Sequence, residues 1–349
     1  MRADRLSLGE LDALVVTNLV NVRYLTGYTG SNGVAVVGGD GTRLFFTDFR
    51  YMTQAASQVS GFDVVKGERD LLGDVASAVS GRVGFEDASL SVRRLSRLRS
   101  LVGDGVELVP AGDLVEELRA VKEPDEVEAL RAAAALADEA LTQVLTRGLA
   151  GRTEHEVAVD LEHTMRVLGA AAPSFESIVA SGAHGALPHA DPTADEIPAD
   201  VLVTIDWGAV VDGYCSDGTR TFATGPGVEE EALEAYELVR SAQEASLEAV
   251  RAGASGKDVD AVGRALIDEA GHAEHYGHGL GHGVGLDVHE KPTLSPRSTD
   301  TLVAGNIVTV EPGVYVPGRF GIRIEDLVVG GDGGCDILSS LPKSLTEVD

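Results

Sequence analysis

Apolar residues fall into two rhythms along the chain. Through residues 1–120 they come as short runs, LDALVVT (Leu11–Thr17), GVAVVGG (Gly33–Gly39) and TRLFFTD (Thr42–Asp48), bounded by Gly, Asn and Asp. Such runs predict strands. Arg50–Ser60 predicts a helix, and Asp63–Lys66 and Arg82–Glu86 predict further strands. Alternating strand and helix patterns predict an α/β layer domain. The glycine-rich connection YLTGYTGSN (Tyr24–Asn32) reads as a structural turn.

A helical stretch from Asp113 to about Val121 precedes a long helix, Lys122–Gly148. In that long helix Pro124 suits the first turn, Asp125 and Glu126 suit the positive end of the dipole, and Gly148 stops it. The boundary between domains therefore falls near Arg119–Lys122, giving residues 1–120 and 121–349. Thr153 and Glu156 form a capping-box pattern opening a helix with Val157, Leu161 and Leu168 on one face and His155 and His163 on its surface. Glu229–Arg251 and Lys257–Ala270 predict two more amphipathic helices. Strands are predicted at Val201–Asp206, Tyr214–Phe222, Ile307–Val314 and Ile322–Val329. Helices grouped against a mostly antiparallel sheet predict an α+β second domain.

Composition narrows the functional classes. The 349 residues carry a formal net charge of −28, from 56 acidic against 28 basic side chains. That balance repels phosphate backbones and anionic membranes, so neither nucleic acid nor membrane is an expected partner. The excess acid is the pattern expected of a halophile, whose proteins stay hydrated through carboxylates. The two cysteines, Cys215 and Cys335, make no disulfide framework, and the N-terminus lacks the apolar run of a signal peptide, so a cytoplasmic protein is expected.

Histidine is scarce, with nine in the chain, yet His278, His282 and His289 share the segment GHGLGHGVGLDVHEKP (Gly277–Pro292), where glycine occupies every second position from Gly277 to Gly285. Glycine at that density permits close backbone approach. Four carboxylates belong with them: Asp206 ends VLVTID, Asp217 lies in YCSDGTRT, Glu311 precedes a Pro-Gly turn in VTVEPGVY, and Glu325 lies in GIRIEDLVV. Each sits in or at the end of an apolar β-segment, where an unpaired carboxylate is costly. Arg220 and Arg323 could neutralise one or two, but two divalent cations would neutralise all four. An oxygen-rich set with one imidazole favours Mn²⁺, Co²⁺ or Fe²⁺ over a structural zinc site. Two such ions about 3.5–4 Å apart activate water and stabilise the oxyanion formed when it attacks a carbonyl.

With these residues assembled, nearly the whole chain resembles the creatinase/prolidase/aminopeptidase P group of pita-bread metallopeptidases. The N-terminal motifs are YLTGYTGSNG and FFTDFRYMTQA. The catalytic ones are PSFESIVASGAHGALPHA, IDWGAVVDGYCSDGTRT, GHGLGHGVGLDVHEKP, VEPGVY and GIRIED. The resemblance implies a creatinase-like N-terminal domain and a pita-bread catalytic domain. It implies that Asp206 chelates the first metal, that Asp217 and Glu325 bridge both, and that His282 and Glu311 hold the second. Glu311 is further implied as general base, and His189 and His289 as the two non-ligand histidines that bind substrate and assist proton transfer. His278 matches a substrate-side histidine, and Arg323 an arginine that braces the cluster by ion pairing and faces the substrate side. His184 and His272 read as loop residues, His275 takes no assignment, and Tyr315 and Phe175 suit either pocket or core.

All five ligand positions hold ligand-type residues, which counts against the creatinase branch and against a non-catalytic binding relative. The N-terminal domain counts against methionine aminopeptidases. The expectation is a Mn²⁺-dependent homodimer, with Co²⁺ or Fe²⁺ as alternatives, that cleaves the bond before proline. Release of the first residue of longer peptides (Xaa-Pro aminopeptidase) ranks ahead of dipeptide cleavage (Xaa-Pro dipeptidase, prolidase).

Overall fold

The computed structural model describes residues 2–348. Two compact units are present, one running up to Arg119 and one from Ala120 onward. In the first, six strands form one mixed sheet in the order Asp63–Lys66, Arg43–Thr47, Val34–Gly38, Ala13–Val16, Gly81–Phe85, Val106–Pro110. The strands Ala13–Val16, Val34–Gly38 and Arg43–Thr47 pair antiparallel, and the outer pairings are parallel. Ala13–Val16 is buried along its whole length, as its unbroken apolar run requires. Val15, Val36, Phe46, Val75 and Val83 form the core beneath the sheet.

Part of this unit departs from the sequence expectation. Leu19–Thr26 is a helix, so Tyr24–Thr26 of the expected turn are its last residues. It is capped by the Asn18 side chain and closed by Gly27 at φ 81°, a left-handed angle that suits glycine. Leu72–Ser77 and Val92–Leu101 are also helical. Their short or arginine-rich sequences hide the apolar period.

The second unit places the helix pairs Pro124–Leu145 with Glu154–Leu168, and Glu230–Ala249 with Gly256–Glu269, against antiparallel sheets. One sheet is Gly218–Ala223, Leu202–Trp207 and Ile178–Ser181. Another is Glu290–Leu294, Gly281–Gly283, Ile307–Val310, Asp326–Gly331 and Gly334–Ile337. Gly313–Val316 and Phe320–Arg323 form a two-stranded ribbon. Both expected helix starts hold: Pro124 opens its helix, and Thr153 and Glu156 make the reciprocal capping box. Leu168, expected on the buried face, is 36% exposed, because it ends the last turn just before Gly169.

Alternation along the strands decides what faces the interior of the site. Val203, Ile205 and Trp207 pack with Leu141, Val157 and Leu161 of the first helix pair. The intervening Thr204 and Asp206 point to the opposite side, where Thr204 Oγ1 meets Thr221 Oγ1 at 3.0 Å. Val308 and Val310 likewise join the core with Val259 and Leu247 of the second helix pair, leaving Thr309 on the other face.

Three expected strands are each broken in two. Tyr214–Phe222 divides at Ser216–Asp217, Ile307–Val314 at Glu311–Pro312, and Ile322–Val329 at Ile324–Glu325. Each break falls at a carboxylate singled out above. Leaving the ladder there lets the side chain turn inward rather than stand perpendicular to a continuous sheet.

Candidate metal centre

Asp206, Asp217, His282, Glu311 and Glu325 come together with His189, His278, His289, Tyr315 and Arg323 around one cavity of about 440 Å³. Phe175, Ile178, Pro188 and Pro192 form an apolar wall, so Phe175 and Tyr315 both reach the cavity.

Close packing builds the histidine strand. A Cβ at Gly281 would lie 2.0 Å from the Thr309 carbonyl oxygen, and one at Gly283 would lie 2.1 Å from that of Lys291. Only glycine on both sides lets the His282 backbone run between Ile307–Val310 and Glu290–Leu294. Gly281–Gly283 is therefore strand, while the rest of Gly277–Gly285 is irregular. The His282 N–H donates to Thr309 Oγ1 at 3.1 Å. Its Nδ1 lies 3.1 Å from the Gly283 carbonyl oxygen. That oxygen can only accept, so the ring proton sits on Nδ1 and Nε2 carries a lone pair. Burial, the largest influence, keeps the ring neutral by lowering its pKa.

That lone pair faces other acceptors. His282 Nε2 lies 3.4 Å from Glu311 Oε1 and 3.6 Å from Asp217 Oδ2. One ligand atom each from Asp217, His282 and Glu325 lies within 4.8 Å of the other two. Burial and then the neighbouring carboxylates push Asp217 and Glu325 well above the usual carboxylate range. Burial likewise pushes Glu311 up to about 7, against the pull of Arg323. Asp206 gives one oxygen to Arg323, Oδ2 to Nη2 at 2.6 Å, while its buried Oδ1 has no hydrogen-bond partner. An orphaned carboxylate oxygen, a bare imidazole nitrogen and three crowded carboxylates fit divalent cations. A hard or borderline ion supplies the charge that lets Asp217, Glu311 and Glu325 ionise together.

Hydrogen bonds orient these groups from behind. Thr219 Oγ1 donates to Glu325 Oε2 at 2.6 Å and accepts from Arg323 Nε at 2.9 Å. Thr309 Oγ1 donates to Glu311 Oε1 at 3.1 Å. Arg323 Nη1 donates to the Tyr315 hydroxyl at 2.8 Å, which in turn reaches His278 Nε2 at 3.0 Å. His278 Nδ1 donates to the Gly279 carbonyl at 2.7 Å, and burial holds the ring down at about 4, so it is a neutral acceptor toward Tyr315. Each nitrogen of the Arg323 guanidinium has an acceptor. Burial alone would lower its pKa, but Tyr315, Asp206, Glu311 and Glu325 outweigh this and raise it well above the ordinary value. The other candidate, Arg220, pairs instead with Asp326 at 2.7 Å. The His289 ring lies 4.2 Å from that of His282.

Several contributors escaped the sequence reading. Thr219 and Thr309 stand two positions from Asp217 and Glu311, so strand periodicity could have placed them on the same face. Glu154 offered no such sign, yet it is buried and accepts from Ser181 N, Ser181 Oγ, Thr193 N and Thr193 Oγ1, all at 2.7–3.0 Å. His184, read as a loop residue, adds Nδ1 at 2.8 Å to the same carboxylate. Lys122 and Glu290 form a buried ion pair directly after His289. His272 and His275 lie away from the cavity, their Nδ1 atoms 3.0 Å apart. His155 and His163 are exposed, as expected. No helix of the described residues is long and apolar enough to cross a membrane.

Known proteins share this arrangement. Residues 3–121 match the creatinase/prolidase N-terminal domain, and residues 128–330 match metallopeptidase family M24. The uncharacterized peptidase YqhT of Bacillus subtilis is 41% identical, over 96% of this chain and 95% of that one. An Xaa-Pro dipeptidase from Bacillus anthracis superposes with a TM-score of 0.93 at 38% identity, covering 96% of this chain and 95% of its own. An X-Pro aminopeptidase from Thermotoga maritima MSB8 superposes with a TM-score of 0.92 at 35% identity, covering 100% of both chains. A hydrolytic metal centre of the kind the buried carboxylates demand, carried on this pairing of domains along nearly the whole chain, makes the protein an enzyme of metallopeptidase family M24, a family that depends on two divalent metal ions.

Proposed function

We propose that the enzyme hydrolyses the Xaa-Pro bond of dipeptides, as an Xaa-Pro dipeptidase. The similar dipeptidase from Bacillus anthracis supports this reading over the aminopeptidase that the sequence ranks first. The observation that carries the chemistry is the buried Asp206 Oδ1 beside Asp217, Glu311, Glu325 and the bare Nε2 of His282. Asp206, Asp217 and Glu325 would hold one cation, and Asp217, Glu325, His282 and Glu311 the second, with Mn²⁺ ahead of Co²⁺ or Fe²⁺. Such a pair supplies an activated water and polarises the scissile carbonyl.

The chain's own groups do the rest. Glu311 is the general base: its carboxylate takes the proton from the attacking water and returns it toward the leaving proline nitrogen. His189 and His289, both in the cavity wall, hold the substrate backbone and the oxygen that develops charge. His278 and Arg323 fix the Tyr315 hydroxyl between them, and Arg323 keeps Asp206 oriented. Phe175, Ile178, Pro188 and Pro192 supply apolar surface for the proline ring.

One observation favours the second reading, an Xaa-Pro aminopeptidase. Arg323 is the sole lysine or arginine in the cavity wall among the described residues, and each of its nitrogens already has an acceptor. No such cation is left over for the free carboxylate of a dipeptide. The deciding experiment is hydrolysis of an Xaa-Pro dipeptide beside an Xaa-Pro-Yaa tripeptide, with Mn²⁺ or Co²⁺ present. Cleavage of the dipeptide is the expected result. Cleavage of the tripeptide alone makes the enzyme an aminopeptidase, and cleavage of neither with metal bound overturns both readings in favour of a binding role. In the same assay Asp217→Ala abolishes turnover, and full activity in that variant would overturn the metal assignment.

A further inference from the structure

The loop that delivers His278 and then the His282 strand is tied to a helix outside the cavity. Asp260 and Arg264 stand one turn apart on Gly256–Glu269 and form a two-pronged ion pair, Nε to Oδ2 and Nη2 to Oδ1, both at 2.8 Å. The Asp260 side chain is 1% exposed. Neither group stops at its partner. Arg264 Nη1 donates to the Tyr276 carbonyl at 3.1 Å and Nη2 to the His278 carbonyl at 2.7 Å, while its guanidinium carbon lies 4.2 Å from the Tyr276 ring centre. Asp260 Oδ1 accepts the Leu280 N–H at 2.9 Å. The Leu280 carbonyl then accepts the Glu311 N–H at 2.8 Å.

Tyr276 and Leu280 anchor this loop in the core, but the glycines at every second position between and after them leave its peptide planes free to turn. Here three of its peptide groups are fixed by one ion pair instead. The donors on the carbonyls of Tyr276 and His278 set where the His278 ring stands. The acceptor on the Leu280 N–H sets the register from which both the His282 strand and the Glu311 backbone are measured.

We propose that Asp260 and Arg264 are positioning residues with separable roles: Arg264 places His278 for substrate, and Asp260, through Leu280, holds Glu311 and His282 in their ligand geometry. The proposal rests on the metal-centre reading above. Its test uses paired variants, because removing one partner alone strands a buried charge. Asp260→Asn/Arg264→Met removes both charges but keeps an acceptor for the Leu280 N–H. Asp260→Ala/Arg264→Met removes that acceptor as well.

Mn²⁺ affinity is read by titration calorimetry without substrate, and kcat and KM on an Xaa-Pro peptide are read separately. The first variant is expected to keep parental Mn²⁺ affinity and lose about tenfold in kcat/KM. The second is expected to weaken Mn²⁺ binding by about 10–100-fold, the range found for groups that orient metal ligands. Leu161→Ala, which weakens the other helix pair without touching this loop, is the stability control. Equal Mn²⁺ affinity in both double variants overturns the proposal, as does an equal loss in Leu161→Ala. If the second variant does not fold, Asp260→Leu/Arg264→Met, which keeps the volume of the Asn variant without an acceptor, replaces it. Parental kcat/KM in the first variant overturns the role of Arg264. Because the calorimetry needs no substrate, an enzyme inactive on every Xaa-Pro peptide would refute the proposed function and still leave the role of Asp260 to be judged.

Discussion

A single hydroxyl, that of Thr219, shows how much of the centre depends on groups that touch no cation. It donates to Glu325 Oε2 and accepts from Arg323 Nε, and the Thr219 carbonyl also takes the Glu325 N–H at 3.0 Å. One residue thus fixes both the carboxylate and the arginine that orients Asp206. Thr219→Val keeps the shape and removes the hydroxyl, leaving two buried charged groups each short of a partner. Metal affinity should fall by about 10–100-fold with little change in fold, as titration calorimetry would show. Unchanged affinity would mean that packing alone orients Glu325. His289→Ala is the counterpart on the substrate side. Turnover should fall steeply while metal content, measured by elemental analysis, stays at the parental level. Loss of metal there would mean that His289, whose ring lies 4.2 Å from that of His282, is itself a ligand.

At the scale of elements, the loop between Ile178–Ser181 and Leu202–Trp207 carries His189 and is anchored by one carboxylate. Burial alone would raise the pKa of Glu154, but hydrogen bonds from Ser181 and Thr193 outweigh it and hold the group below its ordinary value. The folded state therefore prefers the carboxylate. Its contribution is complete above the unfolded glutamate pKa of about 4.3 and is lost as pH falls through the lower, folded value. The parent should lose melting temperature more steeply than Glu154→Gln between about pH 5 and pH 3, since the amide has no proton to gain. Parallel curves would place the acid-sensitive contacts elsewhere. Glu154 also marks the limit of what the sequence could disclose. The motifs around Asp206, Asp217, His282, Glu311 and Glu325 were legible because the cation binding proposed for them restricts which residue types can stand there. Glu154, Asp260 and Arg264 were not, because a glutamate in the first turn or an i, i+4 Asp–Arg pair looks the same on a solvated helix face. The breaks at Asp217, Glu311 and Glu325 were hidden for a related reason. Apolar residues continue on both sides, and only the fold shows that the ladder ends at the carboxylate.

For the whole molecule, the decisive quantity is the net charge of −28. Like charges on a compact surface repel one another more than on the expanded chain, so this charge destabilises the folded state at low ionic strength. Screening shortens the reach of that repulsion from about 30 Å at 0.01 M salt to about 3 Å at 1 M. Surface pairs such as Arg319 with Glu229 and Glu231, or Arg240 with Glu244, weaken under the same screening. With 56 acidic against 28 basic side chains, repulsive pairs outnumber attractive ones, and the balance favours stabilisation. Melting temperature should therefore rise as KCl is raised from about 0.01 M to about 1 M, the range over which screening changes most. The buried pairs, Arg323 with Asp206 and Arg220 with Asp326, are shielded from the ions and should contribute equally at both ends. A melting temperature that falls over that range would mean that attractive surface pairs dominate. A flat profile would mean that the repulsion and the attraction lost to screening are equal.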